Sequence, residues 1–461
     1  MYRNETIRSS EQGPIIIKTP VVIVGGSLSG LTLSRELERR SLNHVVLEAS
    51  KEPRSPSIHY LTSLYAATTL GLDPEYQEKA KDRKLITGYT RYDASAPGLV
   101  VREEVLPNST RKNGFVTFSL EELRYILGSK FNNHVLTGKS VCQVTNTDHR
   151  WEVKTTHEDI ITSDIVIDAT GSRVRVLSNL LGNKIIQDSV GKRTVRACFG
   201  GVYPYHGSED ALLFADGFPA LGEGIPKEGA GWVMPLGNGL AEVVVGWETT
   251  LIDIAKWHTP KLKHLIKAYV KWFNDRGIPI AFDKRQEVVS GSFSQGLLDY
   301  RSIPSESGVA AFGESLGLNQ PLNGYLIRNI AGYAEIMADE IQRYLNTGKW
   351  NPHDMLIGSS PVNFGQQVAL SKRKMEAALA GKGRSTATSR LQEFLIKSLH
   401  EDGLWNAIDS GIPPTKVMAG IVRNPKYVDI ISILGLDYIR LLLTNVLYRK
   451  ELKEKIIYRF K

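Results

Sequence analysis

Pro20-Val-Val-Ile-Val-Gly25-Gly26-Ser27-Leu28-Ser29-Gly30-Leu31 is the stretch that decides how this chain folds. Its first half is a short run of β-branched residues with no polar alternation, which predicts a strand buried on both faces of a parallel sheet. A glycine turn follows, then a helix over Leu31 to Arg40 and a second strand, His44-Val-Val-Leu-Glu48, so that a β-α-β unit closes within about thirty residues. A tight glycine turn between strand and helix lets a pyrophosphate reach the backbone, where the helix N-terminus offers free N–H groups and positive potential. Gly25, Gly26 and Gly30 supply that turn; Ser27 stands where the standard pattern has its second glycine, and Ser29 lies in the same loop. Glu48 ends the second strand, where a carboxylate can accept both hydroxyls of an adenosine ribose and would repel a 2′-phosphate. The plainer reading is a tight turn followed by a surface glutamate.

Composition sets the bounds. The chain has 461 residues, 42% hydrophobic and 23% charged, which fits two to four globular domains and excludes a disordered chain or a coiled coil. Two cysteines, Cys142 and Cys198, cannot build a disulfide framework or a four-cysteine zinc site; both fall in strand-like runs and are expected as core thiols of a cytoplasmic protein. The ten histidines show no metal-ligand spacing, so no metal site is expected. The net charge of +8 suits an anionic partner, but the basic residues are interspersed with acidic ones, which argues against nucleic acid. The exception is Arg449 to Lys461, with six basic residues against Glu451 and Glu454. Just before it, Val428 to Tyr448 is strongly apolar yet interrupted by Asp429, Asp437 and Arg440. This pattern predicts peripheral contact with an anionic membrane rather than a spanning helix. The opening residues are polar, with no apolar core of a secretory signal.

Further along, Phe115 to Phe118 reads as a strand and Leu120 to Ser129 as a helix. Val141 to Asn146, Trp151 to Thr155 and Asp164 to Asp168 read as a meander. From about Arg193 to Ser292 the pattern is mostly strand-like, broken by a helix near Pro260 to Gly277. It includes the hairpin turn Gly237-Asn238-Gly239 before a strand over Ala241 to Trp247. A strand at Val309 to Gly313 and a long helix over Tyr325 to Tyr344 then resume the first domain.

Two later segments repeat the theme of a strand running into a glycine turn: Asp168-Ala-Thr-Gly171, and Gly313-Glu314-Ser-Leu-Gly-Leu-Asn-Gln-Pro321-Leu-Asn323-Gly324-Tyr325. With the N-terminal unit, they resemble the three separated fingerprints of the FAD-dependent flavoprotein superfamily that includes aromatic hydroxylases, flavin halogenases and geranylgeranyl reductases. The resemblance implies an α/β fold: a Rossmann-like FAD-binding domain of the hydroxylase type, a second mostly antiparallel β substrate domain, and a helical C-terminal region. It places the FAD-binding domain at 15–75, 110–185 and 300–350, the substrate domain at 76–109 and 186–299, and the helical region at 351–461. The implied cofactor is non-covalent FAD, its ADP half held by the first-turn residues and Glu48 and supported at a distance by Asp168 and Gly171, with Gly313, Glu314, Pro321, Asn323, Gly324 and Tyr325 along the ribityl chain and flavin ring. Glu314 stands where the family usually has Asp. Arg54 is a candidate for the cofactor's phosphates or ribose. No second complete dinucleotide fingerprint appears, so NAD(P)H or a reductase would donate electrons transiently.

Within the superfamily the chain looks like the geranylgeranyl reductase and lycopene cyclase branch. Gly231-Trp232-Val-Met234-Pro235 resembles the reductase and cyclase box at this position, and Trp247-Glu248-Thr249-Thr250-Leu251 is similar to a cyclase segment whose acid acts on the polyene. Strand alternation puts Glu242, Val244, Gly246 and Glu248 on one face and Val243, Val245 and Trp247 on the other. A carboxylic acid in an apolar cavity can protonate an alkene, which makes Glu248 the candidate catalytic acid; a solvated strand-end glutamate is the plainer alternative. Trp232 is a candidate pocket wall or plain core, and His59 a candidate catalytic group or a solvated turn residue. The reading places first a flavin-dependent reduction or cyclisation of a large apolar isoprenoid or polyene. A flavin-dependent monooxygenase or halogenase comes second, and a non-catalytic flavin-binding protein third.

Overall fold

The computed structural model describes residues 5–8, 14–51, 58–82, 85–93, 101–105, 114–130, 134–147, 150–171, 174–181, 187–188, 191–192, 194–216, 230–250, 259–285, 287–294, 306–316 and 326–350. Arg54, Pro321, Asn323, Gly324, Tyr325 and the expected helical region 351–461 lie outside these residues.

The quoted apolar run is the middle of the first sheet. Strand β2 (Ile15–Val24) pairs in parallel with β3 (His44–Glu48) on one side and β11 (Ile160–Asp168) on the other. Helix α1 (Leu28–Arg39) packs against β2 and β3, and Val21, Val22 and Ile23 have no exposed surface. Burial on both faces is why this run shows no alternation. The sheet continues through β3 to β8 (Val135–Thr137), and through β11 to the antiparallel pair β10 (Arg150–Thr155) and β9 (Val141–Thr147). The outer edge of β11 is shared. Its first half pairs with β10, and its last residues, Val166 to Asp168, pair in parallel with β19 (Val309–Ala311). A short β1 (Glu5–Arg8) runs antiparallel along the start of β2.

Two boundaries differ from the sequence reading. The strand begins at Ile15, because β1 gives Ile15, Ile16 and Ile17 a partner. The helix begins at Leu28, inside the expected turn, so that Ser29 and Gly30 are helical and buried. Cys142 corrects an expectation: it is exposed on β9, the last strand on its side of the sheet, whereas Cys198 is buried.

Helices α4 (Leu120–Lys130) and α7 (Leu326–Thr347) pack on α1. Helix α4 starts at a reciprocal cap: the Ser119 N–H donates to Glu122 Oε2 at 2.7 Å and the Glu122 N–H to Ser119 Oγ at 3.0 Å. Between β3 and α4 come β4 (His59–Ser63), α2 (Leu64–Leu70) and α3 (Asp73–Asp82); β4 pairs antiparallel with β7 (Phe115–Ser119). Five residues, His59 to Ser63, carry too little alternation on their own to announce a strand.

The second sheet has the order β18 (Glu287–Ser294), β14 (Thr194–Pro204), β17 (Leu240–Thr250), β16 (Ala230–Gly237), β15 (Ala211–Asp216), β5 (Gly88–Asp93) and β6 (Val101–Val105). Its pairs are antiparallel except β15 with β5. Asn238 and Gly239 hold φ values of +55° and +71° between β16 and β17, the paired left-handed conformation a two-residue hairpin turn requires. Residues 187–188 and 191–192 form a small separate pair, β12 and β13, and helix α5 (Arg175–Leu181) follows β11.

One face of this second sheet is filled by α6 (Thr259–Asn274), whose Leu265, Ile266, Tyr269, Val270 and Phe273 pack on Val243, Val245 and Trp247. The other face carries Cys198, Val202, Val244 and Val289 and meets Ile58 and Trp232. Alternation along β17 thus divides the strand as the sequence predicts, with Glu242 and Val244 turned away from α6.

Candidate functional site

The glycines of the first turn are required by close contact. Gly25 has φ +114°, and a side chain on it would come within 2.3 Å of the Ala169 carbonyl oxygen on the neighbouring strand end. A side chain on Gly30 would fall 1.9 Å from the Gly25 carbonyl oxygen, so α1 starts pressed against the strand it follows. Ser27, at the N-cap of α1, makes no side-chain cap, and the first turn holds no acidic residue. The leading N–H groups of α1 are therefore a positive, uncapped terminus, a fit for a diphosphate.

Glu48 stands beside that terminus. Its Oε2 accepts the Gly26 N–H at 2.8 Å and its Oε1 the Ser50 N–H at 2.9 Å. A carboxylate has about four acceptor positions, so roughly two stay open for ribose hydroxyls. The Arg124 guanidinium on α4 lies 3.6 Å from Glu48 Oε1. Nothing near Arg124 in sequence marked it; α4 brings it here from 76 positions away.

The middle and last fingerprints close on the first. Asp168 is fully buried at the end of β11, and its carboxylate turns inward. Oδ1 accepts the Thr170 N–H at 3.0 Å, the Thr170 hydroxyl at 2.7 Å and the Ser315 hydroxyl at 3.2 Å. Oδ2 accepts the Val176 and Leu177 N–H groups at 2.9 and 3.0 Å, capping α5. These donors hold the Asp168 carboxylate within the protein, and the Ser315 hydroxyl also lies 3.0 Å from the Gly171 carbonyl oxygen, so Asp168 fixes the loop bearing Gly171. Gly171 has φ +78°, and a side chain there would sit 3.3 Å from Glu314 Oε2, so the third segment's acid lies over the second segment's glycine. Gly313, with φ +69°, leaves room for Ser29: a side chain on it would coincide with the Ser29 hydroxyl. Ser29 therefore packs the first segment onto the third.

A second feature lies where the separate β4–β7 pair meets the second sheet. Glu242 on β17 has no exposed surface. Its Oε2 accepts the His59 backbone N–H at 2.9 Å and lies 2.9 Å from His59 Nδ1; its Oε1 accepts the Trp232 indole N–H at 3.3 Å. Trp232 reaches it diagonally, since Met234 is the residue directly opposite Glu242 on β16. Burial, and then the charges of Glu314 and Glu242, push the neighbouring Tyr60 phenol well above its ordinary pKa. His59 and Trp232 thus meet at Glu242, which the sequence reading placed on this face but did not select. Glu248 is six residues further along the same strand, about 20 Å at strand rise, with its backbone opposite Arg196; its side chain lies outside the described residues.

Comparison with known proteins agrees with the layout. No protein-family model matches the chain. In sequence it is 30% identical over 196 residues to the FAD-dependent monooxygenase nodM of Hypoxylon pulicicidum. That match takes in 40% of this chain and 41% of the relative, so the chain matches well under half the relative's length. Among solved structures, a geranylgeranyl bacteriochlorophyll reductase-like protein from Thermoplasma acidophilum superposes with a TM-score of 0.62 at 17% identity, covering 91% of this chain and 99% of that one. A probable FAD-dependent monooxygenase from Pseudomonas aeruginosa gives 0.56 at 14% identity, covering 82% of this chain and 100% of its own. A flavoprotein/dehydrogenase from Cytophaga hutchinsonii gives 0.54 at 12% identity, covering 94% and 99%. The fold is that of the FAD-dependent flavoprotein superfamily of the aromatic-hydroxylase type.

Proposed function

We propose that the chain binds FAD non-covalently and is an FAD-dependent monooxygenase acting on a large apolar substrate. The observation that carries the cofactor is the uncapped start of α1 beside Glu48: N–H donors for a diphosphate and open carboxylate positions for a ribose. Oxygenation is placed ahead of reduction or cyclisation because the sequence relative at 30% identity is named a monooxygenase. The apolar substrate is taken from the resemblance to enzymes of isoprenoids and polyenes; on the face of the second sheet opposite α6, Cys198, Val202, Val244 and Val289 form an apolar cluster, with Val202 directly opposite the buried Glu242.

FAD, when bound, supplies two-electron chemistry and, once reduced, activation of dioxygen. The chain's own residues would hold it: the first turn and α1 terminus at the diphosphate, Glu48 and Arg124 at the ribose side, and the Gly171 and Gly313–Glu314 turns against the remainder. Electrons would come from NAD(P)H or a reductase that docks transiently. The basic tail after Tyr448 would rest on anionic membrane, bringing the enzyme to its apolar substrate; among the described residues no helix is long and apolar enough to cross a membrane.

The resemblance of Gly231-Trp232-Val-Met234-Pro235 to the reductase and cyclase box supports a second reading, reduction or cyclisation of an alkene. One experiment separates the two. The purified protein is reduced and given lipid extract, anaerobically and in air, and the products are weighed by mass spectrometry. An added oxygen atom seen only in air supports oxygenation. A gain of two hydrogens, or an unchanged mass with altered retention, would replace it by reduction or cyclisation.

A further inference from the structure

The buried pair where β4 meets the second sheet carries an inference that rests on the reading above and specifies its site chemistry. Glu242 is fully buried, and a buried carboxylate without donors would be strongly disfavoured. Here it has three: the His59 backbone N–H, His59 Nδ1, and the Trp232 indole N–H. Two of these are donors by constitution. Both contacts from His59 converge on the same oxygen, Oε2, at 2.9 Å. An ionised Glu242 can only accept, so the 2.9 Å contact requires a proton on Nδ1. With that proton on Nδ1, a ring carrying a single proton has its lone pair on Nε2, which makes no hydrogen bond among the described residues. The His59 side chain retains 14% of its surface, so it is not sealed from solvent.

We infer that Glu242 is a positioning residue that holds His59 in the Nδ1–H tautomer, making Nε2 the proton acceptor of the site, and that the substrate presents an O–H or N–H to it. In the step this permits, the substrate's X–H bond breaks, its electron pair stays on X, and the proton bonds to Nε2. The resulting imidazolium is neutralised by the Glu242 carboxylate, and the proton returns when the product's X–H re-forms. No oxidant or reductant enters this step. Ring orientation comes from two fixed points, the β4 backbone at His59 and the side chain on β17, so the acceptor is aimed by the packing of β4 on the second sheet.

Nitrogen-15 NMR of the full chain labelled at histidine tests this without substrate or turnover. The His59→Asn variant identifies the His59 signals by their loss. At neutral pH the wild-type ring should show a directly bonded proton on Nδ1 and an unprotonated Nε2. Glu242→Gln should shift the tautomer ratio toward Nε2–H by roughly tenfold, the loss of one hydrogen bond to a charged acceptor. Trp232→Phe, which leaves Oε2 untouched, should change the ratio little. A wild-type ring protonated on Nε2, alone or together with Nδ1, would overturn the inference, because Nε2 would then have no lone pair to offer; this measurement stands even if Glu242→Gln fails to fold. An unchanged ratio in a folded Glu242→Gln would overturn it too. Flavin content and oxygen incorporation, measured on the same samples, report separately on the proposed function.

Discussion

Single atoms decide much of the cofactor site, and glycines show it best. Gly30→Ala would place a methyl group 1.9 Å from the Gly25 carbonyl oxygen, where the obstacle is backbone and cannot swing away. We expect this variant to lose flavin and to be destabilised by about 1–3 kcal/mol or more, read from the urea midpoint and the absorbance of the purified protein. Gly128 on α4 is the matched control, since a side chain there meets nothing within 4 Å. Gly128→Ala should raise stability by about 0.5–1 kcal/mol and leave flavin content unchanged. Glu48→Ala removes an acceptor beside the α1 terminus and should weaken flavin retention by about 1–3 kcal/mol, measured by titrating stripped protein with FAD. Equal affinity in the two forms would detach Glu48 from the ribose. At this scale the sequence was most informative where chemistry forces one residue type, as at Gly25, Gly30 and Glu48. It was least so at Glu242, because alternation assigns a face and not a depth along the strand, and the end with Glu248 matched a known segment.

Between elements, the contact of β3 with α1 hides a titrating group. His44 has no exposed surface; its Nε2 is 2.6 Å from the Ser34 hydroxyl, its Nδ1 is 2.8 Å from the Leu42 carbonyl oxygen, and its ring stacks on His134. Burial, only partly offset by the Leu42 hydrogen bond, holds its pKa down at about 4 against an ordinary 6.5. The unfolded chain therefore binds a proton that the folded chain refuses. Stability from this site is complete above about pH 6.5 and is lost as the pH falls toward about 4, a loss on the order of 3 kcal/mol. Urea midpoints at about pH 7 and about pH 5 should differ by less in His44→Asn than in the wild type; an equal difference would assign the acid sensitivity elsewhere. Elements were legible where their period was strong: β3 was read to the residue, and α6 and α7 within a few. What escaped was set by partners far away in sequence. Ile16 and Ile17 become strand where β11 pairs with them through Ile160 and Ile161, and His59 to Ser63 because β7 runs along them.

For the molecule as a whole, the two-sheet plan follows from local patterns, since an unbroken apolar run and alternating runs demand different layers. Where the β4–β7 pair meets the second sheet does not follow, because the meeting of His59 with Glu242 joins residues 183 positions apart. The membrane proposal belongs at this scale. Truncation after Tyr448 removes six basic residues, each worth up to about 1 kcal/mol near anionic lipid, and should reduce sedimentation with phosphatidylserine vesicles while flavin content is unchanged. Equal sedimentation of the two forms would remove the tail from any membrane role.

The shared edge of β11 also has a consequence in time. Its upper half waits for β19 at Val309–Ala311, and the turn carrying Gly313 and Glu314 arrives just after it. Between β11 and β19 the ribosome must first make the strands β14 to β18 of the second sheet. At about 5–20 residues per second, the last wall of the cradle emerges roughly 15–60 s after the first glycine turn. For the second half of that interval, once β11 has been made, the nascent chain offers a half-built cradle and an unpaired strand edge at Val166 to Asp168. Flavin can lock the cradle only once nearly all of the described chain has been synthesised, and scarcity of flavin would act on yield through the fate of that waiting edge.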